Sequence, residues 1–382
     1  MTTPRVFFYV QHLLGIGHLA RANRIARALL DSGFEVTLAV GGPPVAAFMP
    51  TGAQIVQLPV VKAGQAGFSS LEDDLGRPVT EAYKEWRRQR LLDAFASCNP
   101  DILIVEAFPF GRRAMRFELL PLLDLATRMP HRPLIATSVR DILQKTSKPG
   151  RAEETLALVE RYFDLVLVHG DPAFARLEET FPLAARMTRE ICYTGLVAGP
   201  VPAEPAESFD IVVSAGGGAA GFAIVSAALG MVAQPGFAAR SCVITGPNLP
   251  QREELLKRAR SIPRVSVFDF RPDFPSLLRG ARLSISQSGY NTVCDILRAG
   301  CRALLVPFAE GGETEQGDRA ARLKALGLAR SVPEAGITPD RLRAEADDLL
   351  RAPPPQVGQL DLEGARRTGD ILRQRLADKA RG

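Results

Sequence analysis

The chain has 382 residues, of which 46% are hydrophobic, and its 47 Lys and Arg against 42 Asp and Glu give a net charge of +5. A globular protein of two domains is predicted, because one hydrophobic core rarely extends over so many residues. No run of about 18 apolar residues suggests a membrane span, and the first residues lack a signal-peptide pattern, so we expect a cytoplasmic protein. The modest charge excess favours phosphate-bearing ligands and gives no reason to expect a nucleic-acid partner. Five scattered cysteines without a CxxC pair predict free thiols.

The N-terminal half alternates short apolar strands with amphipathic helices, a rhythm typical of a doubly wound parallel sheet. Strands are predicted at 6–10, 35–40, 56–60, 102–105, 134–138 and 165–168, and helices at 19–32, 79–97, 116–128 and 151–162. The glycine-rich, acidic stretch 65–78 is predicted to be a mobile loop.

A second alternating segment follows a stretch rich in Pro and Ala at 198–209, which has the composition of a linker. Strands are predicted at 211–214, 241–245, 265–268, 283–286 and 303–306, and helices at 222–232, 314–326 and from Thr338 onward. We therefore predict an α/β protein with two Rossmann-like domains, 1–197 and 210–360, facing a cleft. The last segment, 361–382, is predicted to be a helix that packs back on the N-terminal domain.

The stretch 283–316 combines a strand, a polar loop, a short helix and a second strand. Backbone N–H groups at the start of that helix lack helical partners and lie at the positive end of its dipole, which favours a diphosphate. The residues concerned are Gly289, Tyr290, Asn291 and Thr292. Asp295 lies one turn further on the same face, where its carboxylate can accept hydrogen bonds from a ribose. The stretch predicts a binding site for a nucleotide diphosphate.

Two glycine loops follow the first strand of each predicted domain. Gly15, Gly17 and His18 lie in the first loop, and Gly216, Gly217 and Gly218 lie in the second. Glycine lets a backbone approach a ligand closely, and ligands bind at the carboxyl ends of strands in open α/β sheets. We expect both loops to contribute to one cleft. A nicotinamide dehydrogenase is disfavoured, because Gly41 and Gly42 stand where a ribose-binding acid belongs, and no Walker lysine follows either loop.

Several motifs resemble the two-domain GT-B glycosyltransferases. They are the GIGH sequence after the first strand, the GGG loop after the linker, and the run SGYNTVCDIL, GCRALLVPF and ETEQ. The chain is most similar to family 28 enzymes, which include the peptidoglycan lipid-precursor N-acetylglucosaminyltransferase, and to a bacterial group of predicted glycosyltransferases with the GIGH motif. The resemblance implies a UDP-linked sugar as substrate, no cofactor, and a cell-envelope glycan, lipid-linked or small-molecule acceptor.

The resemblance also implies roles for individual residues. Backbone from Ser288 to Thr292 and from Gly216 to Gly218 would hold the diphosphate, and Asp295 the ribose. The base would lie against the segment 268–273, which contains Phe270 and Arg271. Glu315 and Gln316, preceded by Glu313, would bind hydroxyl groups of the donor sugar.

His18 is predicted to be the base that deprotonates the acceptor hydroxyl, since imidazole titrates near neutral pH. Glu106 and Asp141 are alternative bases, because each follows an apolar strand at its carboxyl end. The chain contains no DxD sequence, so we expect no metal ion and assign the leaving charge to helix dipoles and N–H groups.

The acceptor is less well defined by the sequence. Arg112, Arg113, Arg116 and Arg140 could bind an anionic group, or could form a solvated basic face. The basic helix with Lys84, Trp86, Arg87, Arg88 and Arg90 could contact the inner membrane, although a surface helix packed by Leu91 and Phe95 is favoured. Transfer to an acceptor is the leading hypothesis; a UDP-sugar hydrolase or epimerase and a non-catalytic sugar-nucleotide-binding protein are the alternatives.

Overall fold

The computed structural model describes residues 3–13, 15–64, 67–145, 148–216, 221–246, 249, 251–356 and 358–381, without the side chains of residues 67–69. It divides into two compact units. The N-terminal unit comprises Met1–Val197 and Asp361–Gly382, and the C-terminal unit comprises Ala198–Leu360.

The N-terminal unit is built on a parallel sheet that has seven strands in the described part of the chain, in the order β3-β2-β1-β6-β7-β8-β9. The strands of this unit are β1 (Arg5–Val10), β2 (Glu35–Val40), β3 (Gln54–Gln57), β4 (Lys62–Gly64), β5 (Gly67–Glu72), β6 (Ile102–Glu106), β7 (Leu134–Arg140), β8 (Leu165–His169) and β9 (Glu190–Tyr193). Its first helices are α1 (Gly17–Asp31), α2 (Glu81–Cys98), α3 (Arg116–Arg128), α4 (Arg151–Tyr162) and α5 (Leu177–Thr180). The bounds of α3 and α4 are those that the hydrophobic pattern predicts.

The stretch 65–78, predicted to be a mobile loop, contains most of a hairpin instead. Strands β4 and β5 pair antiparallel, and Val79 donates its N–H to the carbonyl of Leu71 at 2.9 Å. The turn that follows is ordered by Asp73, whose carboxylate accepts hydrogen bonds from the N–H groups of Leu75 and Arg77 at 3.0 and 2.9 Å. The prediction counted glycines and acids and missed this Asx-type turn. Gln65 and Ala66 lie outside the described residues.

The C-terminal unit repeats the architecture with a parallel sheet in the order β12-β11-β10-β13-β14-β15. Its strands are β10 (Ile211–Ser214), β11 (Ser241–Ile244), β12 (Val265–Phe268), β13 (Leu283–Ser286), β14 (Ala303–Leu305) and β15 (Arg330–Ser331). Its helices are α6 (Phe222–Val232), α7 (Arg252–Arg260), α8 (Phe274–Gly280), α9 (Tyr290–Ala299), α10 (Glu315–Ala325) and α11 (Pro339–Arg351). As predicted, Thr338 caps α11, accepting a hydrogen bond from Arg341 N–H at 3.2 Å.

The stretch 198–209, predicted to be a linker, packs along the C-terminal unit. Arg279 donates to the carbonyl of Pro202 and pairs with Glu204 at 2.5 Å. A Cβ atom on Gly280 would come within 2.5 Å of Pro205, so the stretch lies tightly against the end of α8.

The chain returns to the N-terminal unit with its last helix, α12 (Gly364–Lys379), which packs on α1. Leu196 donates its N–H to the carbonyl of Asp361 at 2.7 Å, and Arg375 pairs with Glu190 on β9. Gly364 is required there, because a Cβ atom would come within 2.3 Å of the carbonyl oxygen of Gly195.

Each sheet forms the centre of its own hydrophobic core. Strand residues such as Phe7, Tyr9 and Val105 in one unit and Val213 and Ile285 in the other are fully buried. The five cysteines are free thiols, and four of them are buried. Among the described residues, no helix is both long and apolar enough to cross a membrane.

Candidate functional site

The strand order of each sheet reverses at one point. In the N-terminal unit the reversal lies between β1 and β6, and in the C-terminal unit between β10 and β13. In open parallel sheets, ligands bind in the crevice at the carboxyl ends of the strands at this position. His18 follows β1 and Glu106 ends β6, while Gly216 follows β10 and Ser288 follows β13. Most of the predicted site residues therefore lie at two switch points.

His18 and Glu106, predicted as alternative bases, form a pair. Nδ1 of His18 lies 2.9 Å from Oε1 of Glu106, whose side chain is fully buried, while 20% of the His18 side chain is exposed. Arg21, one turn after His18 on α1, donates to the same carboxylate. An ionised carboxylate is an acceptor only, so Nδ1 of His18 carries the proton and Nε2 holds the free lone pair. Glu106 is thus the orienting partner of His18 and has no access to an acceptor of its own.

The pair has strongly shifted protonation equilibria. Burial by itself raises the pKa of a carboxyl, yet the charge of Arg21 and hydrogen bonds from His18 and Ser138 hold the pKa of Glu106 well below its usual range. Burial and the positive charge of Arg112 lower the pKa of His18 to about 3, against the opposing effect of Glu106. At neutral pH the pair is therefore a neutral imidazole on a carboxylate, and the expectation that His18 titrates near neutral pH is wrong, because burial and Arg112 disfavour the imidazolium.

A chain of buried hydrogen bonds extends from the other oxygen of Glu106. Ser138 Oγ lies 2.6 Å from Oε2 of Glu106 and 2.9 Å from Nε2 of His169, whose Nδ1 lies 2.9 Å from Oγ1 of Thr194. Burial lowers the pKa of His169 to about 3, so this imidazole is neutral. Since Ser138 donates its only hydrogen to the carboxylate, His169 donates from Nε2 to Ser138 and accepts from Thr194. The chain fixes the orientation of Glu106 and, through it, of His18.

The remaining candidates in this unit make contacts within the protein, and Asp141 lies at the carboxyl end of its strand as predicted. Asp141 directly follows β7, is fully buried, and accepts a hydrogen bond from the N–H of Ile142 at 2.8 Å. Arg113 and Arg116 both pair with Glu154 on α4, so they are not a free anion site. Arg112 donates from Nε to the carbonyl of Gln11 at 2.7 Å and thereby holds the loop that precedes His18.

The predicted diphosphate cradle in the C-terminal unit has the expected local geometry. Helix α9 starts at Tyr290, after Gly289 in an extended conformation, so the N–H groups of its first turn point out of the helix end. Asp295 lies on this helix and is buried. Gly216 has a φ of +76°, a conformation that favours glycine. Gly217 and Gly218 lie outside the described residues.

Glu315 and Gln316, predicted to bind the donor sugar, also make contacts that hold the cradle loop. Gln316 Oε1 accepts hydrogen bonds from the N–H groups of Ser288 and Phe308 at 3.1 and 3.2 Å. Glu315 is buried and pairs with Arg319 one turn later, at 2.7 Å. Arg319 is fully buried and donates to the carbonyl of Ser288 at 3.0 Å. Oε1 of Glu315 is thus paired with a guanidinium, and its role toward sugar hydroxyls stays a prediction.

Gln287, between β13 and Ser288, was not among the predicted site residues. It is 7% exposed, and its Nε2 has no hydrogen-bond partner within the described part of the chain. Its amide lies beside Gly216, because a Cβ atom there would be 3.2 Å from Oε1 of Gln287. An unsatisfied buried donor costs about 1–3 kcal/mol, so an anionic oxygen at this position would be bound favourably.

Of the two residues predicted to contact the nucleotide base, Phe270 is exposed, whereas Arg271 is engaged in ion pairs. Phe270 is 45% exposed, as a stacking ring requires. Arg271 forms two 2.8 Å hydrogen bonds with Asp273 and contacts Glu207, which raise the pKa of its guanidinium despite some burial. Glu313 accepts a hydrogen bond from the N–H of Glu315 at 2.8 Å and so orders the start of α10.

Two residues that the sequence analysis missed, Arg319 and Arg21, could have been found from their helical spacing to a predicted site residue. Arg319 is four residues after Glu315, and Arg21 is three residues after His18, so both lie on the same helix face as their partners. Ser138 and Thr194 left no such signal, because the register that places Ser138 opposite Glu106 belongs to the folded sheet.

The comparisons with known proteins agree with this architecture. Residues 212–357 match the sequence profile of the glycosyltransferase family 28 C-terminal domain. A segment of 95 residues is 36% identical to the UDP-N-acetylglucosamine--N-acetylmuramyl-(pentapeptide) pyrophosphoryl-undecaprenol N-acetylglucosamine transferase of Methylorubrum extorquens, covering 25% of this chain and 26% of that protein. The match thus spans about a quarter of the length of that curated relative.

Solved structures match over nearly the whole chain. The glycotransferase of kitacinnamycin is 16% identical with a TM-score of 0.61, over 99% of this chain and 96% of that one. MurG of Acinetobacter baumannii is 16% identical with a TM-score of 0.57, over 98% of both chains. At this identity the likeness establishes the fold, and the predicted GT-B architecture is confirmed. Residues 212–357 are thus similar to the glycosyltransferase family 28 C-terminal domain, in a chain whose two Rossmann-like units have the GT-B fold.

Proposed function

We propose that the protein is an inverting glycosyltransferase that moves a hexose or N-acetylhexosamine from a nucleotide-diphosphate sugar, most simply a UDP-sugar, to a hydroxyl group. The observation that carries the proposal is the pairing of His18 with the ionised Glu106, which leaves Nε2 of a neutral imidazole as a base. A protein that only bound sugar nucleotides would not need an oriented base. The family 28 domain supports the donor class, since its curated relative is named for a UDP-sugar substrate.

The C-terminal unit would bind the donor. Its diphosphate oxygens would accept hydrogen bonds from the N–H groups that begin α9 and from Nε2 of Gln287, in a loop held by Gln316 and Arg319. The dipole of α9 adds partial positive charge at the same place. These groups would stabilise the charge that develops on the leaving nucleotide diphosphate, so the proposal includes no metal ion.

The N-terminal unit would activate the acceptor. The hydroxyl oxygen of the acceptor would bond to the anomeric carbon while the bond from that carbon to the diphosphate oxygen breaks. Nε2 of His18 would take the proton of the hydroxyl in the same step. Glu106 would stabilise the imidazolium that forms. A single displacement inverts the configuration at the anomeric carbon, so an α-linked donor would give a β-linked product.

The acceptor is proposed to be a glycan or a lipid-linked saccharide of the cell envelope. The name of the curated relative describes such an acceptor, which supports this part of the proposal.

The test is an assay of nucleotide release from a panel of nucleotide sugars, with and without a lipid extract and a saccharide panel as acceptors. Acceptor-dependent release, lost by at least about a hundredfold in His18→Ala, is expected because general bases contribute on the order of 10²–10⁴. Release at the same rate without acceptor would identify a hydrolase. The absence of calorimetric binding to any nucleoside diphosphate would overturn the proposal.

A further inference from the structure

The N-terminal unit contains a cavity of about 390 Å³ that none of the roles above uses. It is lined by Gln57, Val60, Asp74, Tyr83, Trp86 and Arg90, among others, and is called the Trp86 cavity below. Gln57 is the last residue of β3, so the cavity lies at the carboxyl end of the strands, the same edge of the sheet as His18.

One wall of the Trp86 cavity is an ordered aromatic surface. The Trp86 side chain lies edge-on to Tyr83, with ring centroids 5.4 Å apart at 81°, and the Tyr83 hydroxyl donates to the carbonyl of Val60 at 2.9 Å. Trp86 is nevertheless 54% exposed. A large apolar ring that is fixed in position and open to a cavity is a surface for a ligand.

The rest of the lining includes charged side chains of both signs beside the apolar segment 58–60. Arg77 is held by Asp73 at 2.8 Å, while Asp74 and Arg90 form no ion pair within the described part of the chain. A carboxylate and a guanidinium beside an aromatic face match a pyranose ring, whose C–H face packs on the indole and whose hydroxyls donate and accept hydrogen bonds.

A membrane surface fits this helix less well. The cations of α2 that could meet anionic lipid are largely neutralised: Lys84 pairs with Glu81 and Arg88 with Glu85. Arg87 is fully buried against Glu118. Of the cations on which the membrane hypothesis relied, Arg90 alone is without an ion pair within the described part of the chain, so little of α2 offers a free basic face.

Hydrogen bonds of Arg87 connect the cavity wall to the end of β1, which precedes His18. Arg87 donates to the carbonyls of Pro59, which lines the cavity, and Gly41, and to Oε1 of Gln11, which follows β1. With β3 two strands from β1, the cavity and the end of β1 are roughly 10 Å apart by strand spacing. That distance is about the length of two linked sugar rings.

We propose that the Trp86 cavity binds a pyranose ring of an extended saccharide acceptor, one or two rings away from the hydroxyl that reacts. This inference rests on the proposed function, because it names the acceptor class of that reaction. Trp86 stacks on the ring, and Asp74 and Arg90 bind its hydroxyl groups.

Intrinsic fluorescence tests binding directly, since Trp86 is the only tryptophan of the chain. The probes are trisaccharides of glucose and of N-acetylglucosamine and a mixed panel of acidic trisaccharides, each to about 10 mM, a range that covers millimolar affinities. At least one is expected to change the emission. Asp74→Asn and Arg90→Ala should weaken that binding about tenfold, and Arg88→Ala, a nearby surface arginine, should not. No response to any saccharide, or a response only to phosphatidylglycerol vesicles, overturns the proposal.

Kinetics with a turned-over acceptor give a second readout. Trp86→Ala is expected to raise the KM for a trisaccharide acceptor about tenfold with little change in kcat, and Trp86→Phe less, as for a residue that binds without touching the reacting atoms. An unchanged KM in Trp86→Ala contradicts the inference. UDP is proposed to bind the C-terminal unit and not this cavity. A failure of UDP binding in calorimetry would therefore count against the proposed function alone.

Discussion

Nδ1 of His18 and Oε1 of Glu106 lie 2.9 Å apart although 88 residues separate them in the chain. One residue lies in the first turn of the helix after β1 and the other ends β6, and these two strands are neighbours in the sheet. The contact makes two competing candidates for one role a pair, in which Glu106 orients the imidazole that is proposed to be the base.

Glu106→Gln tests the orienting role. An amide can offer the same shape without the charge that stabilises imidazolium, so we expect kcat to fall about 10²- to 10⁴-fold with the Kd for UDP unchanged. Glu154→Gln, which removes a carboxylate from a surface pair with Arg113 and Arg116, is the control and should retain activity. Equal activity of Glu106→Gln and wild type would rule out the pair as the catalytic element.

Arg112 adds to the effect of burial in lowering the pKa of His18. Because burial and the charge of Arg112 together lower the pKa of His18 to about 3, His18 stays neutral from about pH 5 to 8 and the wild-type kcat/KM should show no acidic limb near the usual imidazole pKa of about 6.5. Arg112→Met removes the positive charge, so the pKa of His18 rises and the limb moves to higher pH. Arg113→Met is the matched control. A wild-type limb at about 6.5 that does not move in Arg112→Met would contradict this assignment.

Gln316 should affect donor binding through the loop that it holds. Gln316→Ala removes the acceptor of the Ser288 and Phe308 N–H groups, each bond worth about 0.5–1.5 kcal/mol, so we expect UDP to bind about tenfold more weakly. Calorimetry measures the Kd. Gln234→Ala, which loses an exposed hydrogen bond to Asp340 in the same unit, should leave it unchanged. If only the discrimination between donor sugars changed, Gln316 would contact the sugar itself.

Breaking the buried ion pair between Arg87 and Glu118 should destabilise the N-terminal unit. Both side chains are fully buried, with Nε of Arg87 2.6 Å from Oε2 of Glu118. Arg87→Met leaves a buried carboxylate whose remaining hydrogen-bond donor is the Tyr9 hydroxyl, and should lower the free energy of unfolding by about 3–5 kcal/mol.

Urea unfolding followed by Trp86 fluorescence measures this change. The double variant Arg87→Met with Glu118→Leu should recover part of the loss, because no charge remains buried. Arg88→Met, which breaks an exposed pair with Glu85, should change the free energy by less than about 1 kcal/mol. A double variant less stable than Arg87→Met would contradict the unpaired buried carboxylate as the cause of the loss.

The sequence by itself determined the alternation of strands and helices, the division into two units and the glycine loops, because hydrophobic period and turn residues are local properties. It also predicted an anion site at the start of α9, since a helix N-terminus has the same chemistry in any fold. The bounds of α3, α4 and α6 followed from periodicity alone.

Only the tertiary structure decided which of those groups meet. The strand order brought Glu106 to His18, and the register between β6 and β7 placed Ser138 opposite Glu106. In the C-terminal unit, the packing of α10 placed Gln316 on the backbone of Ser288.

The same holds for the charged residues that the sequence presented as exposed or as ligand-binding. In the folded protein Arg87 is buried and pairs with Glu118. The carboxylate of Glu315 pairs with the buried guanidinium of Arg319. These contacts join separate parts of the chain, or depend on which way a helix face is turned. The local sequence pattern does not specify which residues face each other across neighbouring strands. It does not specify the partner of a buried charge either, because an unpaired charge becomes costly only when the folded core removes it from water.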